Sequence, residues 1–196
     1  MIAYDRSTAL VVVDVQNDFA DPAGSLYVPG GEAVPGAVNA EIARARAAGA
    51  LVAFTQDWHP PETPHFVTGG GVWPVHCVRG SWGAELHPEL DAAPGEPVIR
   101  KGAGGEDGYS GFRVADPRTG AITSTGLEER LREAGVTKVV VAGLATDYCV
   151  RDTALDACRS GFATTVLTGA IRAVDLAPGD GEAALKAMRE AGVMLA

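Results

Sequence analysis

Leu10-Val11-Val12-Val13 is an unbroken apolar run, the pattern of a strand buried on both faces. Leu51-Val52-Ala53-Phe54 and Val139-Val140-Val141-Ala142 repeat it, Ala163-Thr164-Thr165-Val166-Leu167 does so more weakly, and Val98-Ile99 is a shorter strand candidate. Between these runs the period becomes helical. Val34, Val38 and Ile42 recur every fourth residue, with Pro35 suited to a first turn and Gly49 to a stop. Leu127, Leu131 and Ala134 form a second stripe before Gly135, and a third helix is expected from Asp147 or Tyr148 to Arg159, before Gly161. A fourth pattern covers Ala184, Leu185 and Met188, before Gly192. This alternation predicts an α/β fold, a mainly parallel sheet with helices on both faces. Trp58 to Pro97 has little periodicity and many Pro, Gly and His residues, and a loop that long in a compact domain is usually functional. No repeat or linker divides the 196 residues, so one domain, 1–196, is expected.

Composition narrows the function classes. The formal net charge is −9, from 25 acidic and 16 basic residues, and the longest basic run is Arg100-Lys101. Such a chain is repelled by phosphate backbones and anionic membranes, so neither nucleic acid nor membrane is expected as a partner. No apolar run reaches the roughly 18 residues of a membrane span. The start, Met1 to Arg6, lacks the basic region and cleavage site of a signal peptide. Three cysteines make no disulfide framework, and a reduced, cytoplasmic protein is expected.

The polar residues that follow the buried runs carry the chemistry. Asp14 follows the first, Asp57 and His59 the second, Lys101 follows Val98-Ile99, and Gly143-Leu144-Ala145-Thr146-Asp147-Tyr148-Cys149 follows Val139–Ala142. Ligands of open parallel sheets bind outside the carboxyl ends of the strands, so these side chains are expected at one sheet edge. A free cysteine is more often packed than catalytic, and Cys158, on the helix face opposite Cys149, fits packing. Cys149 is expected near a helix start, where unsatisfied amides lower a thiol pKa and can hold an oxyanion. Asp14 and Lys101 are its candidate base and cation. On position alone, an ion pair at a strand end explains those two equally well.

Three of the four histidines, His59, His65 and His76, lie in the long loop beside Asp57. Asp57 and His59, two apart on an extended segment, point the same way, as a chelate requires. One carboxylate and three imidazoles suit a divalent transition metal, namely zinc, iron or manganese. Loop histidines are also commonly only solvated. Cys77 is read as packing and His87 as part of a surface turn.

Asp14-Val15-Gln16-Asn17-Asp18-Phe19, Asp57-Trp58-His59-Pro60, Trp73-Pro74-Val75-His76-Cys77, Lys101 with Tyr109-Ser110-Gly111-Phe112, and Gly143 to Val150 occur in that order. From about Leu10 to Leu167 the chain resembles the nicotinamidases (pyrazinamidases) of the isochorismatase-like hydrolase superfamily. The resemblance implies a three-layer α/β/α sandwich, a triad of Asp14, Lys101 and Cys149, and a metal on Asp57, His59 and His76. It implies His65 as a fourth ligand, because His65-Phe66 stands where mycobacterial-type members carry a His before a Phe. It further implies a cis peptide at Leu144-Ala145, an oxyanion hole from the amides of Ala145 and Cys149, and substrate contacts from Phe19, Trp73, Leu144 and Ala145. The implied reaction converts nicotinamide, with pyrazinamide as an alternative substrate, to the acid and ammonia through a cysteine thioester, in NAD salvage. Nicotinamide is then the small-molecule partner, and a homo-oligomer is compatible with the resemblance. Isochorismatases lack the cysteine and the metal ligands, and carbamoyl-amide hydrolases usually lack the Asp-x-His and the later His. Tyr148, at a variable position, and Gly69-Gly70-Gly71, an unusual run, are the departures. Another amide hydrolase with the same triad, or a non-catalytic metal-binding or redox-sensing protein, are the alternatives.

Overall fold

A computed structural model describes residues 2–196; Met1, the first residue of the expected 1–196 domain, lies outside the described residues. The apolar runs form the strands β1 (Thr8–Val13), β2 (Leu51–Asp57), β3 (Val98–Lys101), β6 (Lys138–Leu144) and β7 (Ala163–Arg172). With β8 (Met194–Leu195) they make a six-stranded sheet in the order β3-β2-β1-β6-β7-β8, and every pairing is parallel. The helices are α1 (Asn17–Ala20), α2 (Val34–Ala47), α3 (Leu127–Glu133), α4 (Arg151–Arg159) and α5 (Asp180–Glu190).

β1 shows how the layers arise. Leu10 and Val12 pack on one face with Val34, Val38, Ile42 and Ala45 of α2. Ala9, Val11 and Val13 pack on the other with Leu127 and Leu131 of α3, Ala154 and Ala157 of α4, and Met188 of α5. A strand with both faces covered needs apolar side chains at every position, which is why its sequence does not alternate. The chain runs from β1 outward to β2 and β3, then returns to the other side of β1 as β6 and continues to β7. Right-handed crossovers in opposite directions place their helices on opposite faces. The reversal opens a crevice at the carboxyl ends of β1 and β6, where such sheets bind ligands.

Three features were not legible in the periodicity. A two-stranded antiparallel hairpin, β4 (Arg113–Ala115) with β5 (Ile122–Ser124), stands apart from the main sheet, and β5 is exposed throughout. β8 has only two residues. His87 is buried rather than on a surface turn, because Gln16 bridges to Leu86 and the His87 amide donates to the Val15 carbonyl at 2.9 Å, closing this segment over the end of β1.

Gly143 stands where β6 bulges against β7 and pairs with Val13 of β1. Its φ is +119°, and a Cβ there would overlap the Val13 carbonyl oxygen. Gly143→Ala is therefore expected to lower the unfolding free energy by on the order of 3 kcal/mol in urea titrations. Gly36→Ala, in open space on α2, should not destabilise. Equal midpoints for the two variants would contradict this account.

Candidate active site

The segment after β1 is polar yet buried from Asp14 to Asp18, apart from Val15, and each polar side chain ties down a different loop. The Gln16 amide donates to the carbonyls of Asp57 and Ala84, both at 2.8 Å, and its oxygen accepts the Asp57 N–H at 2.8 Å. Asn17 donates to the Trp82 carbonyl at 2.8 Å. The Asp18 carboxylate accepts the amides of Cys77, at 2.7 Å, and Ser25, at 2.9 Å. Asp14 itself has φ +48°, outside the regions favoured by non-glycine residues. Thr55 holds it there: the Asp14 amide donates to the Thr55 hydroxyl at 3.2 Å, and that hydroxyl donates to the Asp14 carboxylate at 2.5 Å. Spacing gives no sign of these anchoring roles for Gln16, Asp18 and Thr55. For Gln16 and Asp18 the signal is a run of polar residues directly after a strand buried on both faces; Thr55, inside β2, has none.

Asp57 and Lys101 are paired in the parallel register of β2 and β3. The fully buried Lys101 ammonium lies 2.8 Å from Asp14 Oδ2, 2.7 Å from Asp57 Oδ1 and 3.5 Å from Cys149 Sγ. It also donates to the Tyr109 carbonyl at 3.2 Å. One oxygen each of Asp14 and Asp57 and the Cys149 sulfur lie within 4.8 Å of one another. Burial alone would strip the lysine of its proton, but Asp14 and Asp57 outweigh it and raise its pKa. Burial also acts against ionised Asp57, yet Lys101 and the nearby histidines hold that carboxyl below the usual range. Asp14 is raised, by burial first and by the Asp57 charge, with Lys101 opposing.

Cys149 corrects an expectation. It lies in a π-helical turn, Thr146–Val150, that runs directly into α4, with the Val150 amide donating to the Ala145 carbonyl at 3.1 Å. Its thiol pKa is raised, not lowered. Burial is the main cause, Asp14 and Asp57 add to it, and Lys101 opposes them. A helix start beside two buried carboxylates does not by itself make a thiolate, so the thiol needs a proton acceptor at hand. The Leu144–Ala145 peptide is cis.

His59, His65 and His76 are brought together, each buried, with one ring nitrogen apiece within 4.8 Å of the others. Asp57 Oδ2 lies 3.8 Å from His59 Nε2 and 3.9 Å from His76 Nε2. Both ring nitrogens of His59 are buried and without a hydrogen-bond partner. Burying an unsatisfied polar atom is costly, and a cation at Nε2 would remove that cost for one of them. His76 Nδ1 is 2.7 Å from the Pro74 carbonyl, which can only accept, so the proton sits there and Nε2 keeps a lone pair. Burial pushes His76 down to about 4, so it is neutral and able to ligate at neutral pH. His65 Nδ1 lies 2.7 Å from the Asp107 carboxylate. Three imidazoles and one carboxylate oxygen fit a divalent transition metal.

Both clusters adjoin one cavity, lined by the apolar and aromatic residues Phe19, Leu26, Trp73, Tyr109 and Tyr148 and by Asp57, His65, His76 and Cys149. Ala145 lines it too. The Leu144 side chain is fully buried in the α2-side core. Trp73 meets Tyr148 edge-on at 4.9 Å and donates its indole N–H to the Tyr109 hydroxyl at 3.0 Å. The run Gly69-Gly70-Gly71 has a steric reason. It folds back on Thr63-Pro64-His65, and a Cβ at Gly69 or Gly71 would overlap those carbonyls.

The isochorismatase domain model matches residues 8–196. The nicotinamidase/pyrazinamidase of Mycobacterium tuberculosis is 44% identical to this chain, covering 95% of it and 97% of the relative. The Escherichia coli nicotinamidase is 36% identical, covering 95% and 93%. Among solved structures, the pyrazinamidase of Pyrococcus horikoshii in complex with zinc is similar with a TM-score of 0.86 and 38% identity, covering 97% of this chain and 98% of that one. PnC1 from L. infantum in complex with nicotinate gives 0.89 and 39%, covering 100% and 95%. No helix among the described residues is long and apolar enough to cross a membrane.

Gly71 leaves room for the carbonyls of Pro64 and His65 between the histidine loop and Trp73. Gly71→Ala is expected to weaken binding of added zinc by about tenfold or more, with some loss of thermal stability in the metal-free protein as well, because the added Cβ meets backbone atoms. Zinc affinity within twofold of the parent would show that this loop tolerates displacement.

Proposed function

The chain belongs to the isochorismatase family, and from that premise we propose that it is an amidohydrolase converting nicotinamide, and pyrazinamide as an alternative, to the acid and ammonia. The observation that carries this reading is the meeting of Asp14, Lys101 and Cys149 with a metal-capable histidine cluster at one aromatic cavity. The names of the relatives support the substrate class.

The ring sits between Phe19 and Trp73, with its carboxamide toward Cys149. Asp14, its carboxyl pKa raised by burial, takes the thiol proton, and the sulfur attacks the amide carbon. The amides of Ala145 and Cys149 receive the oxyanion. Asp14 returns the proton to the departing nitrogen, the C–N bond breaks, and ammonia leaves a cysteine thioester. Water, deprotonated by Asp14, then hydrolyses the thioester to the carboxylate and restores the thiol. Lys101 stabilises both anions as the proton moves. Asp57, His59, His65 and His76 would hold one divalent metal, zinc, iron or manganese, which when bound would supply positive charge beside the ring and help orient it. The cytoplasm and NAD salvage are the setting this reaction implies.

Ammonia release from nicotinamide by metal-replete protein is the direct test, and none at millimolar substrate would refute the reading. Cys149→Ala should abolish turnover while keeping the bound metal, whereas Cys158→Ala should not affect it. Retained activity in Cys149→Ala would remove the nucleophile from this scheme.

Asp14→Asn keeps the shape and the Thr55 contact but loses the proton acceptor. A fall in kcat of roughly 10²–10⁴-fold is expected. A pH–rate profile identical to that of the parent would exclude Asp14 as the base.

A further inference from the structure

We propose that Asp107 is a positioning residue for the metal cluster: its carboxylate accepts a hydrogen bond from the Nδ1–H of His65 and aims the Nε2 lone pair at the space shared with His59 and His76. This rests on the reading of His65 as a metal ligand.

The three histidines are oriented differently. His76 is fixed by a backbone carbonyl, and His59 has no partner at either ring nitrogen. Among the described residues, only His65 has its outer nitrogen on a carboxylate, at 2.7 Å. The His65 ring is buried, while the Asp107 side chain is 47% exposed. A carboxylate behind an imidazole fixes the tautomer and the ring plane and raises the basicity of the opposite nitrogen.

Asp107 is itself held in place. The Gly108 amide donates to the same Oδ1 at 2.8 Å. The backbone of Asp107 exchanges two hydrogen bonds with Ala115 of β4, at 2.7 and 2.6 Å. The small β4–β5 hairpin thus gains a purpose that its exposed sequence does not suggest. It braces the loop that follows Lys101, and that loop carries both Asp107 behind His65 and Tyr109 beside Trp73. A surface ion pair would need none of this bracing and would leave metal binding unaffected.

The test is cobalt(II) binding to the metal-free full-length protein, measured by chelator competition and by the visible absorption of the cobalt form. Asp107→Ala should weaken binding about 10- to 100-fold and shift the cobalt bands toward those of His65→Ala. Asp107→Asn should lie between Asp107→Ala and the parent, because an amide oxygen still accepts a hydrogen bond from the Nδ1–H without the negative charge. In a His65→Ala background, Asp107→Ala should cause no further loss. Matching melting temperatures of the metal-free proteins would exclude a folding defect as the cause. If His65→Ala weakens binding but Asp107→Ala stays within twofold of the parent, this proposal is wrong and the ligand reading stands. A further loss from Asp107→Ala in the His65→Ala background would also overturn it. Unchanged binding in His65→Ala would overturn both.

Discussion

One buried ammonium holds this site together. Lys101 has two carboxylates within 2.8 Å, from residues that leave different strands, and the candidate nucleophile at 3.5 Å. Taking three charges out of water is expensive, and such a group persists only where attraction and hydrogen bonds are well arranged. The arrangement here is detailed: Thr55 on Asp14, Gln16 on the Asp57 backbone, and the Tyr109 carbonyl on Lys101 itself. Two carboxylates against one ammonium leave this buried group with an excess negative charge. That excess adds to burial, the main reason the Cys149 thiol resists ionisation, and makes a cation beside Asp57 welcome.

How much of this was legible in the chain depends on the range of the interaction. Apolar runs marked five of the six strands of the main sheet: β1, β2, β6 and most of β7 are buried on both faces, which leaves an unbroken local trace, while the edge strand β3 alternates exposed and buried positions and left only the pair Val98-Ile99. The rule that parallel strands present ligands at their carboxyl ends then put Asp14, Asp57, Lys101 and Cys149 at one edge. The family resemblance supplied the further expectation of His65, and the structure places it within the histidine cluster.

What was not legible is non-local or weakly patterned. β5 has no buried residue, so no periodicity marks it, and β8 is too short to show one. His87 looks like part of a surface turn until the Gln16–Leu86 bridge closes over it. The Cys149 thiol was expected to be acidic from its place beside a helix. Burial reverses the shift, helped by two carboxylates that come from elsewhere in the chain. Leu144 adjoins the cavity in sequence, but its side chain turns into the core. The glycine run at 69–71, unusual for the family the chain resembles, is a steric allowance for a tight loop.

β3 has a further consequence. Among the described residues it is a four-residue edge strand hydrogen-bonded only to β2, yet it carries Lys101 and leads into the loop with Asp107 and Tyr109. Edge segments with one neighbour are where proteins open locally, well below the cost of global unfolding. A transient fraying of β3 would withdraw the ammonium from both carboxylates and release the brace behind His65 in a single event. Charge balance and metal grip would then be lost together while the central strands remained closed. The durability of the site would be set by the amide-exchange protection of this short strand rather than by the stability of the whole fold.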